Sequence, residues 1–174
     1  MVLSLTDPRW NELPGSYGRA DDIVKWLSEA LEARGLSDNR LGDLINEVAH
    51  QGDASLALYA VVPYLVDLAS KTEGAQRFDL LTSAGHLYAA AGKAASPSCP
   101  DFLQSDYQNA ASIGARLLAP LLPNAKSFDD FKYGVAAMAG LVGHLAFARQ
   151  LELFDLYEGQ IHHAYFERPV SELD

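Results

Sequence analysis

Asp43, Glu47 and His50 stand at i, i+4 and i+7 in the run DLINEVAH, so a helix places all three on one face. Two carboxylates and an imidazole at that spacing are a possible ligand set for a divalent cation. A di-iron bundle would need a second Glu-x-x-His pair and further carboxylates facing inward. Only Glu47 and His50 supply that spacing, and they point away from the apolar stripe Leu41, Leu44, Ile45 and Val48. No metal and no cofactor are therefore expected. His50 instead occupies the last turn of its helix, where an imidazole can bond free carbonyls, and Gly52 supplies a turn conformation. His50-Gln51-Gly52 reads as a helix corner.

The other reactive residue types are weaker. His86 shares a polar face with Asp79, Thr82 and Ser83, a nominal Ser-His-Asp set on one helix face. It has no nucleophile elbow or oxyanion hole, so no catalytic residue is expected. His162 and His163 are adjacent and diverge on any regular structure. Cys99, between two prolines, has no base beside it and reads as a bystander thiol. Asp106 is either the N-cap of a late-starting helix, which Ser105-Asp106 favours, or a buried carboxylate needing a partner. His144 lies in an apolar stretch with no partner evident from the sequence.

These residues sit in a chain of 174 residues, enough for one domain with a continuous core. Lys and Arg total 13 against 23 Asp and Glu, a formal charge of −10. That balance repels phosphate backbones and anionic lipid, so neither nucleic acid nor a membrane is an expected partner, and a basic protein is. A lone cysteine permits no internal disulfide. MVLSLTDPRW has neither a basic nor an apolar leader region, and the longest apolar run, residues 133–148, is too short to span a bilayer. A soluble cytoplasmic protein is the expectation.

Helical periodicity runs through the chain. After an irregular arm over residues 1–20, whose Trp10 and Tyr17 are expected against the first helix, that helix opens at Asp21 or Asp22 as cap and ends at Gly35. Ile23, Val24, Trp26, Leu27, Ala30 and Leu31 form its apolar face, and Glu29 and Glu32 lie opposite. A second helix is predicted over residues 38–50, and Asp53 is placed as N-cap of a third. The third, ASLALYAVVPYLVDLAS, is apolar all round and therefore buried, with Pro63 expected to bend it. A fourth runs over residues 75–93, then a fifth to about Leu118. SFDD, residues 127–130, opens a sixth as a capping-box-like start and is expected to continue, kinked, to Gly159. No segment shows strand alternation. The fold class is all-α: antiparallel helix pairs forming a HEAT-like α-solenoid or a compact helical bundle, one domain over 1–174 with a tail over 160–174. The expected pairs are helices two and three, four and five, and six with its continuation.

DPRWNELPGSYGRADDIVKWL and EVAHQGDASLALYAVVPYLVDLA together carry Trp10, Gly18, His50, Gln51, Gly52 and Pro63. This pattern over roughly residues 7–70 resembles a group of bacterial HEAT-like proteins with a His-Gln-Gly corner. Some members look like immunity proteins encoded beside secreted toxins, and the resemblance implies a partner-binding role with no shared catalytic residue. The expected function is non-catalytic protein binding, with neutralisation of a basic toxin as its particular form. Its rival is a metal-binding or hydrolytic helical enzyme using His and carboxylates. A third reading is a purely structural oligomerisation module. The candidate partner surface is Glu29, Glu32, Asp43 and Glu47, with His50 beside them, stacked into one negative field.

Overall fold

A computed structural model describes residues 2–18, 20–33, 35–50, 53–152, 154–157 and 160–163; side chains are described through Leu151, except Asp38. The architecture is all-α with two small hairpins: α1 (Ala20–Ala33), α2 (Asp38–Val48), β1 (Ala49–His50), β2 (Asp53–Ala54), α3 (Leu58–Ser70), α4 (Gly74–Ala91), α5 (Asp101–Leu118), α6 (Phe128–Leu141), α7 (Leu145–Glu152), β3 (Phe154–Tyr157) and β4 (Gln160–His163). Short 3-10 helices cover Pro8–Glu12 and Ala119–Asn124.

The uniformly apolar helix is the centre of the core, as its composition requires. From Leu58 to Ala69 every residue of α3 except Asp67 is buried. It packs on α4 and α5, while α4 packs on α6, so α3 with α5 and α4 with α6 form two stacked layers. The three-residue link Lys71–Glu73 makes α3 and α4 neighbours. α3 thus pairs with α4, and α4 also meets α5, while the segment after α6 packs back on α6 as expected. The expected pair of helices two and three does not form, because the main contacts of α2 are with β1, α1 and α4.

The N-terminal arm belongs to this core. Leu3, Trp10 and Leu13 are buried. Trp10 donates its indole N–H to the Ser4 carbonyl at 2.9 Å and lies 6.3 Å, centroid to centroid, from Tyr64 of α3. Tyr64 in turn donates to the carbonyl of Leu3. The 3-10 turn carrying Trp10 touches α1, as expected, but the buried ring itself meets α3.

Several expected boundaries move. Asp21 and Asp22 occupy the first turn of α1, where they favour the helix dipole, rather than its cap. α3 starts at Leu58 behind Ala57, and Asp53 belongs to β2. Pro63 sits within α3, which runs as one helix from Leu58 to Ser70 across it. Asp106 is an interior, half-buried residue of α5, which begins behind Pro100, so it is not a cap. The SFDD start holds: Ser127 Oγ accepts from the Asp130 N–H at 3.0 Å. The continuation to Gly159 does not. α6 ends at Leu141, Gly143 has φ 88°, and α7 folds back onto α6 and α4. Beyond it Phe154–Tyr157 pairs antiparallel with Gln160–His163.

Tyr59, Tyr88 and Tyr107 join α3, α4 and α5. Tyr107 stacks on Tyr88 at 4.5 Å and meets Tyr59 edge-on at 4.9 Å. Its hydroxyl is buried without a hydrogen-bond partner. Burial, reinforced by Tyr88, Tyr59 and Cys99, holds its proton far above the usual phenol range. A phenol whose folded pKa is raised contributes stability that is complete below its unfolded pKa near 10 and is lost as pH climbs toward the folded value. Tyr107→Phe is therefore expected to be neutral or stabilising by about 1 kcal/mol at pH 7. It is also expected to reduce the loss of stability above about pH 10. Denaturant midpoints of the two proteins measured from pH 7 to 11 check both; a clearly destabilised variant at neutral pH would show the hydroxyl to be satisfied.

Candidate functional site

The His50 neighbourhood is built from two distant segments. α2 ends at Val48, and Ala49 and His50 leave it as β1, pairing with Ala54 and Asp53. His50 therefore follows the helix instead of closing its last turn, which corrects the expected position while leaving it at a corner. Gln51 and Gly52 lie outside the described residues. Onto this corner folds Pro14-Gly15-Ser16-Tyr17-Gly18. Ser16 N–H donates to the Glu47 carbonyl at 2.5 Å, Tyr17 N–H to Glu47 Oε1 at 3.1 Å, and His50 N–H to Ser16 Oγ at 3.3 Å.

His50 Nδ1 is 2.6 Å from the Tyr17 hydroxyl and 3.0 Å from Asn46 Oδ1, with the Tyr17 ring edge-on at 5.0 Å. Unprotonated, that nitrogen accepts from Tyr17; protonated, it donates to Asn46. The imidazole is thus a clasp between the arm and α2. Glu47 is fully buried beneath the arm, so its expected place on an outward acidic face is wrong. A helical wheel assigned it to solvent because it lies opposite the stripe Leu41, Leu44 and Val48; the arm covers that side. Gly15 permits the approach. A Cβ there would lie 2.5 Å from Glu47 Oε1 and 3.0 Å from its carbonyl oxygen. Gly18 takes φ 74°, the left-handed region that glycine reaches without strain.

The remaining candidates separate from this clasp. Glu29 and Asp43 are exposed on α1 and α2, with side chains 48% and 58% accessible, and Arg40 lies between them at 3.9 and 3.6 Å. Arg40 also covers the Trp26 ring at 5.4 Å. Glu32 is exposed on α1. Glu29, Glu32 and Asp43 are thus exposed acids, with Arg40 between Glu29 and Asp43; buried Glu47 is not among them, and half-buried His50 is held by Tyr17 and Asn46. Asp43 faces Arg40 while Glu47 faces the arm, so the metal-ligand trio does not converge. Among the described residues no group of three or more His, Cys, Asp or Glu is arranged to hold a metal.

A second location was only half legible. His86, Asp79, Thr82 and Ser83 line one side of a cleft of about 280 Å³, with Asp130 and Tyr133 of α6 opposite. The polar face of α4 announced one wall; the other comes from a helix 47 positions away, where the His86 ring nitrogen Nε2 lies 3.3 Å from the Tyr133 carbonyl. Thr82 Oγ1 bonds the carbonyls of Phe78 and Asp79, both at 3.0 Å, so its hydroxyl proton is committed to backbone. Cys99 is half-buried, and burial together with Asp101 pushes its thiol up to about 11, which keeps it unreactive at neutral pH. His144 is exposed between α6 and α7, and His162 and His163 are neighbours in β4.

Fold and site define a class: an all-α protein in two helical layers, with an N-terminal arm clasped over a helix corner. No protein-family model, curated protein or solved structure matches this chain. Among the described residues no helix is long and apolar enough to cross a membrane.

Proposed function

We propose that this chain works by binding another protein, without chemistry of its own, and that the partner is basic. The supporting observation is the exposure of Glu29, Glu32 and Asp43 on the α1–α2 surface of a chain of formal charge −10, with Arg40 as the counter-ion between two of them. Such a field accelerates encounter with a positive surface and repels acidic ones. Following the resemblance carried by Trp10, Gly18, His50, Gln51, Gly52 and Pro63, the particular form we propose is an immunity protein that neutralises a basic toxin. In that reading the clasp is structural, since it presents the α1–α2 surface rather than touching the partner.

Affinity capture from the native cell identifies the partner, and association kinetics then test the surface. The Glu29→Lys/Asp43→Lys double variant is expected to slow association about tenfold or more, and raised salt to weaken wild-type binding mainly through the on-rate. Unchanged helicity by circular dichroism guards against misfolding. Association that ignores both the reversal and the salt would move the site elsewhere. The rival hydrolytic reading rests on the cleft between α4 and α6, where Asp79, Ser83 and His86 of α4 face Asp130 of α6. Turnover of ester or phosphoester substrates that vanishes in His86→Ala would favour it over binding alone.

A further inference from the structure

The cleft between α4 and α6 does not stand alone. A second cavity of about 440 Å³ shares Phe78, Asp79 and Asp130 with it and runs past Gly74, Ala75 and Leu121. The shared residues make the two cavities one groove, with those three at the junction. Asp79 stands exposed on α4, and Asp130 is half-buried in the first turn of α6 on the facing wall. Phe78 is half-buried and held against α6, since a Cβ on Gly134 would lie 3.1 Å from its Cζ. Its ring is thus fixed before any guest arrives. Among the described residues no Lys or Arg lines the first cavity, and Lys126 lines only the second. Ile45 of α2 also lines the first, so the groove borders the helix that carries Asp43.

Size and charge together name the occupant. A volume of about 280 Å³ lies just under the roughly 300–1,000 Å³ of small-molecule sites, so the first cavity takes one large side chain. Two carboxylates on facing walls, with no Lys or Arg lining that cavity, call for a positive group. Lysine would bring a compact ammonium. Arginine brings a planar fork of N–H donors that reaches carboxylates on two walls, and its flat face stacks on an aromatic ring. Arginine is also among the residues that anchor interfaces from within a pocket. We propose that the groove receives one arginine side chain of a basic partner, its guanidinium between Asp79 and Asp130 and against Phe78. The residues flanking that arginine lie along the second cavity. Such an anchor rests on the basic-partner reading proposed above and adds a point of contact apart from the exposed acids of α1 and α2.

Titration of the full chain with the blocked tripeptide Gly-Arg-Gly, followed by backbone amide NMR, tests it, with lysine and citrulline counterparts as controls. Citrulline keeps the shape and loses the charge. Expected are shifts at Asp79, Ser83 and Tyr133, a dissociation constant of about 1 mM, and weaker binding at high salt. The lysine peptide binds at least about threefold more weakly, and the citrulline peptide at least about tenfold. Asp79→Asn/Asp130→Asn loses at least about tenfold in affinity for the arginine peptide with helicity unchanged, while Glu29→Lys/Asp43→Lys leaves the shifts in place. A lysine or citrulline peptide that binds like the arginine one, shifts confined to α1 and α2, or no shift at about 20 mM overturns the proposal. So does a folded Asp79→Asn/Asp130→Asn chain that binds the peptide like wild type. The peptide series decides on the wild-type chain alone, so a misfolded variant leaves the test standing. If the groove fails while Glu29→Lys/Asp43→Lys still slows the captured partner, the basic-partner reading survives without it. Arginine binding in the groove, with a captured partner that ignores both that reversal and salt, supports the groove and sinks the acidic surface instead.

Discussion

Gly85→Val is expected to destabilise the fold by about 3 kcal/mol or more, while Gly42→Ala is expected to stabilise it by about 0.5–1 kcal/mol. Both glycines lie inside helices, and intrinsic propensity alone favours replacing either. Their surroundings differ. A Cβ on Gly85 would lie 2.5 Å from the Ala137 carbonyl oxygen and 2.6 Å from the Ala137 Cα, and Gly140 meets the Gly85 carbonyl oxygen at 2.6 Å in the same sense. α4 and α6 thus approach backbone to backbone, and the obstacle has no side-chain freedom to yield. Around Gly42 nothing lies within 4 Å. For a chain of this size 1 kcal/mol corresponds to roughly 2–4 °C, so the first variant melts about 6–12 °C lower and the second slightly higher. Thermal and denaturant unfolding check the pair. Equal signs for the two changes would mean that propensity, not the α4–α6 crossing, governs both positions.

Glu47→Ala is expected to cost about 2–3 kcal/mol, and Glu47→Gln clearly less. The side chain is fully buried and its Oε1 accepts the Tyr17 N–H at 3.1 Å. Alanine leaves that donor without its carboxylate acceptor and opens a void under Gly15, whereas glutamine keeps both an acceptor oxygen and the shape. The loss is local, because Leu3, Trp10 and Leu13 anchor the rest of the arm in the core. Hydrogen exchange is therefore expected to quicken at Ser16, Tyr17 and His50 and to stay slow at Trp10. Uniform quickening along the whole arm would show that the clasp is not a separate unit, and no change in stability would remove Glu47 from it. The surface variant Glu29→Lys/Asp43→Lys should leave this exchange pattern untouched, which keeps the structural and recognition roles experimentally apart.

Much of the scaffold was legible because its cause is local. The stripes of α1 and α2, the burial of α3 and the Ser127 cap each follow from spacing within a single segment. The α7 break was harder to read, since VGHLAF remains apolar and helical in composition; Gly143 at φ 88° is where the helix stops, and α7 then returns onto α6 and α4. Of the site, Trp10, Gly18 and His50 were legible as special residues, and Glu29, Glu32 and Asp43 as outward acids. What joined or separated them was not.

The sequence by itself determined which side of each amphipathic helix meets the core, because burying a continuous apolar stripe is decided within a few turns. Only the tertiary structure decided what covers the opposite side. Glu47 lies opposite its stripe, as solvent-facing residues do, and is buried because a segment 30 positions earlier lays its backbone N–H groups across it. α6 poses the converse case. It is apolar nearly all round, so periodicity cannot choose its inner face; the small residues Gly85, Ala137 and Gly140 choose it by permitting the closest approach. That choice leaves Phe128, Phe131 and Val142 outside. Contacts between elements depend on which surfaces fit within van der Waals distance, and that complementarity belongs to pairs of segments rather than to either one alone.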